Sequence, residues 1–284
     1  MLLYQLHDRA RDAGIEGYRR MSKVQLAEAL EIELDGQDQP APEAPGSSPA
    51  SGPTEVDVAR RNGFAVVTLR GHDNALGLDT LERLATVCEE LCEDADVRLI
   101  AITGAGPRLF SAGADLASME GVGGAEVTAR GTDACRRIAV LAVPTVALLN
   151  GHAVGGGIDL ALACDWRIAA QGAKLRFIHN ELGYSPPWGA AARIGDLIGR
   201  HVALRLFATC EVLPVEEART LGLVDEVVAP QKLMSRVESL ASRVARSDRE
   251  ALAVTKRLLS GHDDLLTHER EFARLWESKA TMRA

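Results

Sequence analysis

Gly155, Gly156 and Gly157 stand in a row after the apolar run Val143–Leu149 and a turn, and before the alanine- and leucine-rich stretch that begins at Ile158. Glycine gives up more conformational freedom on folding than any other residue, so three together need a reason. At the start of a helix they leave backbone N–H groups without intrahelical partners and bare of side chains, at the end that favours negative charge. Amides preorganised in this way stabilise an oxyanion as it forms. The competing reading is a tight strand-to-helix turn in which two backbones pack closely. A second loop of small residues, Ser111-Ala112-Gly113-Ala114, follows a strand ending at Gly104 and lets the Ala114 N–H point into a cleft. Small-residue loops after strands are common, so this loop carries weight only with the first. Cys88 and Cys92, one helical turn apart, suit core packing better than a metal, and no zinc site is expected.

The elements that must position these loops follow from periodicity. Val56–Arg60 and Phe64–Arg70 flank Arg61-Asn62-Gly63, an Asn-Gly hairpin signal. Leu81, Leu84, Cys88 and Leu91 lie on one face of a helix predicted over residues 78–93. Strands are predicted over Val97–Thr103, Thr145–Leu149 and Trp166–Ala170, with helices near 124–140 and from the glycines to about Cys164. This alternation indicates an α/β domain, turning mostly helical beyond residue 195. The domain is predicted over residues 55–284; residues 35–54, rich in proline and poor in large apolar side chains, read as a linker. Residues 1–34 read as a small module of two short helices, with Leu3, Leu6, Ala10 and Ala13 on one stripe and Val24, Leu26, Ala27, Leu30 and Leu34 on the other.

Bulk properties narrow the function. The chain has 284 residues, 46% of them hydrophobic, enough for one large domain and a small module. Its net charge of −8 disfavours nucleic acid and anionic membranes as general partners. No apolar run is long enough to span a bilayer, and the N-terminus lacks a signal-peptide layout. Five cysteines without C-x-x-C spacing fit a reducing compartment, so a cytoplasmic location is expected.

Taken in order, Asn74-Ala75-Leu76, LFSAGADL, VPTVALLNGHAVGGGIDLALACDWRIA and LGYSPPWG resemble the crotonase (enoyl-CoA hydratase/isomerase) superfamily over residues 55–284. The resemblance implies a spiral of β-β-α units with a helical C-terminal region, assembled as a homotrimer or hexamer. It implies an oxyanion hole from the amides of Ala114 and Gly156, gripping the thioester oxygen of an acyl-CoA or acyl-carrier substrate. No cofactor is implied beyond the coenzyme A of that substrate. Ala112, Gly113, Gly155, Tyr184, Pro187 and Trp188 are the expected pocket residues. Hydratases of the family use two glutamates, and the matching positions hold Asp159 and His179. The aspartate carboxylate sits roughly 1.3–1.5 Å farther back than a glutamate's, a displacement on the scale that costs about a hundredfold in rate. Histidine gives and takes protons near neutral pH. Each has a plainer reading: an acid favoured by a helix dipole, and an ordinary core or surface histidine.

The segment LRFIHNELGYSPPWG, with CDWRIA before it and EREFARLW near the C-terminus, resembles the ethylmalonyl-CoA/methylmalonyl-CoA decarboxylase branch. The implied reaction is decarboxylation of a methyl- or ethylmalonyl thioester, with Trp188 drying the pocket and His179 or a bound water protonating the enolate. Asp159 departs from that branch's pattern and is awkward beside an anionic substrate. A hydratase or isomerase with an Asp/His pair is the alternative, and an inactive scaffold that binds through its N-terminal module is a third. Residues 3–31 resemble the N-terminal helical module of transcription termination factor Rho and SAP-like modules. Any nucleic-acid contact is expected to be weak and through residues 1–34, because Asp8, Asp12, Glu16 and Glu28 offset Arg19, Arg20 and Lys23. Asp115 and Asp165 are read as structural, and Arg70 and Lys256 as surface charges within reach of coenzyme A phosphates.

Overall fold

The computed structural model describes residues 54–260 and 265–283, together with residues 9, 10, 13–15, 29 and 30. The expected helical module and linker therefore lie almost wholly outside the described residues. The Asn-Gly signal makes a two-residue hairpin between β1 (Glu55–Arg61) and β2 (Phe64–Arg70), with Arg61 opposite Phe64. Then come α1 (Leu78–Glu93), β3 (Ile100–Gly104), β4 (Leu109–Ser111) and α2 (Gly124–Ala139). The next unit is β5 (Thr145–Leu149), β6 (His152–Val154) and α3 (Gly156–Ala163). A third follows as β7 (Trp166–Ala170), β8 (Lys174–Arg176) and α4 (Ala190–Ile198).

Each β-β-α unit places its longer strand in one sheet and its shorter strand in another. The first sheet runs β1-β2-β3-β5-β7-β10 and the second β4-β6-β8-β9, with β9 spanning Val212–Pro214 and β10 Glu226–Val228. All pairings are parallel except β1–β2 and β8–β9. A parallel sheet is buried on both faces, and the two-residue period of its strands separates two clusters. Ala65, Val67, Leu69, Ile100, Ile102, Ala147 and Leu149 face the main core with α1, α2 and α3. Val66, Ala101, Val146, Leu148 and Ile168 face Leu233, Val237, Ala241 and Val244 of the later helix α7 (Leu233–Val244).

Between α4 and α7 lie α5 (Arg200–Thr209) and α6 (Val215–Leu221). After α7 come α8 (Arg249–Leu258) and α9 (Leu265–Arg283). Lys256 of α8 pairs with Asp165, whose carboxylate also accepts from the Thr145 N–H and hydroxyl, so this helix is tied to β5 and β7. Lys256 is thus committed to the fold, and Arg70 pairs with Asp57. Cys88 is buried in the main core. No helix among the described residues is long and apolar enough to cross a membrane.

Candidate active site

The first loop leaves β4 under local backbone direction. Gly113 has φ +98°, and its N–H is taken by the Ser111 hydroxyl at 3.1 Å. Leu76 then pairs with Ala114 in a parallel bridge, its N–H on the Gly113 carbonyl and its carbonyl on the Asp115 N–H. The carbonyl and N–H of one trans peptide point opposite ways, so with the Gly113 carbonyl on Leu76 the Ala114 N–H faces away from Leu76. Two buried or half-buried asparagines hold this arrangement. Asn74 donates to Leu109 O at 2.9 Å and Ala105 O at 3.1 Å. Asn150 accepts from the Gly104 N–H at 2.9 Å and donates to Gly106 O and Leu109 O. Asn150 was passed over in the sequence reading. Nothing about an asparagine at a strand end tells which carbonyls it will meet.

The second loop turns from β6 into α3 at Gly155, whose φ of +47° and ψ of −120° belong to glycine. Its own N–H is tied to Arg176 O of β8 at 3.0 Å, and its carbonyl accepts from Ile158. The two loops meet. A methyl group placed on Gly156 would stand 3.2 Å from the Ala114 nitrogen, and one on Gly113 would stand 3.1 Å from the Gly156 nitrogen. Among the described residues no acceptor takes the N–H of either Ala114 or Gly156. Gly156 is buried and Ala114 half-buried, so the pair opens on the Ala114 side.

Asp159 enters from the first turn of α3 and is completely buried. His179 comes from the short turn Ile178–Asn180 after β8 and is also buried, its ring beside Phe207 at a 6.0 Å centroid distance. Nε2 of the histidine lies 3.6 Å from Oδ2 of the aspartate, just beyond hydrogen-bond length. All four polar atoms of the two side chains lack a partner among the described residues. A buried orphan of this kind costs about 1–3 kcal/mol, so four at one spot mark a place built for another polar group. The Asp159 charge also reaches Cys135 of α2, whose thiol is pushed up to about 12 by burial and, secondarily, by that carboxylate. Nε2 of His179 lies 3.8 Å from where a methyl on Gly155 would sit, which puts the pair beside the glycine turn.

Among the other expected residues, Ala112 is half-buried, and Tyr184 is 60% exposed on the loop after His179. Pro187 is half-buried, with its carbonyl accepting from the Thr132 hydroxyl at 2.9 Å. Trp188 is fully enclosed, its indole N–H directed to Val127 O at 3.3 Å. Asp115 closes a turn with Ser118.

Residues 59–277 match the family profile described as enoyl-CoA hydratase/isomerase. The chain belongs to that family. This enoyl-CoA hydratase/isomerase family member is 37% identical to the crotonyl-CoA hydratase of Syntrophomonas wolfei over 186 residues, 64% of this chain and 72% of the relative. It is 33% identical to the short-chain-enoyl-CoA hydratase of Clostridium acetobutylicum over 210 residues, 72% of this chain and 80% of the relative. Among solved structures, an enoyl-CoA hydratase of Bacillus anthracis superposes with a TM-score of 0.72 at 30% identity, covering 78% of this chain and 89% of that one. DspI of Pseudomonas aeruginosa gives 0.75 at 29% identity, covering 81% and 92%.

These likenesses correct the decarboxylase expectation, since the relatives are named as hydratases of enoyl thioesters rather than as decarboxylases. The physical reason lies in Asp159. Asp159 is completely buried beside His179, so a substrate carboxylate brought there would leave water with no cationic lysine or arginine bonded to either side chain among the described residues. The family match begins at residue 59, so the likeness of residues 1–34 to a Rho or SAP-like module gains nothing from it.

Proposed function

We propose that this enzyme adds water across the double bond of a short 2-enoyl thioester of coenzyme A, using Asp159 and His179 where other hydratases use two glutamates. The observation that carries the reading is the meeting of two acceptor-free amides with a buried, unpartnered carboxylate–imidazole pair. The thioester oxygen binds between the N–H groups of Ala114 and Gly156. A water molecule is shared by the carboxylate and the imidazole, which offer it both donor and acceptor sites. Its oxygen forms a bond to C3 while its proton passes to the pair, and the C2=C3 electrons move onto the thioester oxygen as an enolate. The pair then returns a proton to C2, so that one water supplies both added groups. Each amide contributes about 3 kcal/mol toward holding the enolate charge. The roles of acid and base belong to the pair together. Ala112, Gly113 and Gly155 shape the slot, with Tyr184, Pro187 and Trp188 on the loop that covers it.

Hydration is favoured over isomerisation because two proton-handling groups bracket one point, whereas shifting a double bond needs a single shuttle. The test is the loss of enoyl absorbance from crotonyl-CoA, with 3-hydroxybutyryl-CoA identified by mass. Conversion of 3-enoyl-CoA to 2-enoyl-CoA without hydration would replace this reading by an isomerase, and no turnover of either substrate would overturn it.

A further inference from the structure

We infer that Trp188 is a positioning residue, a wedge between α2 and the glycine turn that sets the direction of the Gly156 N–H. The inference rests on the reading above, in which that N–H binds the thioester oxygen. Gly131 lies in the interior of α2, where glycine costs a helix about 1 kcal/mol relative to alanine. Its reason is the indole. A methyl on Gly131 would overlap Nε1, Cδ1 and Cε2 of Trp188. The opposite edge of the ring meets the turn, for a methyl on Gly156 would stand 2.5 Å from Cζ3 and 3.0 Å from Cη2. One rigid bicycle therefore spans the gap between a helix backbone and the backbone of an oxyanion-hole residue.

The wedge has little freedom to tilt or withdraw. Its indole N–H is on Val127 O, the Pro187 carbonyl before it is held by Thr132, and its own carbonyl accepts from Arg193 at 2.9 Å. Close-packed interiors transmit a displacement rather than absorb it. A shift of about 1 Å in a donor aimed at developing charge costs on the order of a hundredfold in rate. Trp188 acts through Gly156, so its effect belongs in kcat and not in KM.

The test uses the full chain carrying G131A, W188F and both together, with kcat and KM for crotonyl-CoA. Bound acetoacetyl-CoA gives a second readout, because its enolate absorbs in the near ultraviolet when the hole holds its charge. Expected for G131A is a fall in kcat of at least about tenfold with KM changed less than about threefold, and a weaker enolate band. Adding W188F should raise kcat again, because the smaller ring makes room for the methyl. A G131A enzyme with unchanged kcat, or a double variant no faster than G131A, overturns the wedge. Should G131A fail to fold, W188F alone decides: lower kcat and a weaker enolate band at constant KM support the wedge, and no change in either overturns it. A wild-type protein that forms the enolate band but hydrates nothing would sink the hydratase reading alone, leaving the wedge to be judged by the band. Absence of the band in wild type removes the hole and the wedge with it.

Discussion

Asp159 and His179 face each other across 3.6 Å with no other protein partner for any of their polar atoms among the described residues. A structural ion pair would close that gap, since an unpaired buried carboxylate is costly. The gap suits a bound water or substrate atom better than a brace. Replacement of His179 by alanine is expected to lower hydration at least about tenfold while circular dichroism stays native. Asp159→Asn, which keeps the volume and removes the charge, is expected to do the same. Unchanged turnover in H179A would remove the imidazole from the chemistry. Both residues were found in the sequence only through the family pattern, because an aspartate in a helix and a histidine before a loop carry no mark of their own. The resemblance offered them as a pair, but their separation of 3.6 Å was not legible. It depends on how β8 is set against α3.

At the scale of elements, the glycine turn combines a local demand with a tertiary one. Gly155 has a backbone conformation that side-chain-bearing residues reach only under strain, and Ile178 Cγ2 would lie 3.4 Å from an added methyl. Gly155→Ala should therefore cost about 1–3 kcal/mol, lowering the melting temperature by roughly 2–12 °C for a domain of this size. Hydration should fall as well, because the neighbouring amide moves. Thermal unfolding and initial rates check both, and an unshifted melting point would mean that the turn is not strained.

The helices over 78–93 and 124–140, and the strands at Thr145–Leu149 and Trp166–Ala170, could be read from spacing because periodicity is local. The strand predicted from Val97 begins at Ile100 instead. The Val97 N–H closes a turn on Asp94 O, although Val97 and Leu99 are buried, so hydrophobic pattern ran past the ladder. Gly131 was the unread signal, an interior helix glycine whose reason lies on another element.

For the molecule as a whole, both faces of the six-stranded sheet are covered, and most cysteines are sealed inside. Burial above all pushes the thiols of Cys135 and Cys164 up to about 12 and raises that of Cys88 as well. A thiol stays neutral below its pKa, and only the thiolate attacks. At pH near 8 the native protein should therefore leave Cys88, Cys135 and Cys164 unlabelled by a thiol reagent, with half-buried Cys92 reacting first. All 5 cysteines should label after denaturation. Mass spectrometry that found rapid labelling of Cys135 or Cys164 would contradict this packing.

What the chain order alone determined is whatever depends on near neighbours: the strand and helix periods, the hairpin at Asn62-Gly63, and turns only glycine enters readily. The sequence pattern also pointed to the family and its amide pair. Tertiary structure decided the rest: that Asp159 meets His179, that Asp165 pairs with Lys256, and that Trp188 lies enclosed between two glycines. Local conformation is written in each residue's own sterics, whereas these meetings depend on how separate β-β-α units stack. Their distances are properties of the packed whole.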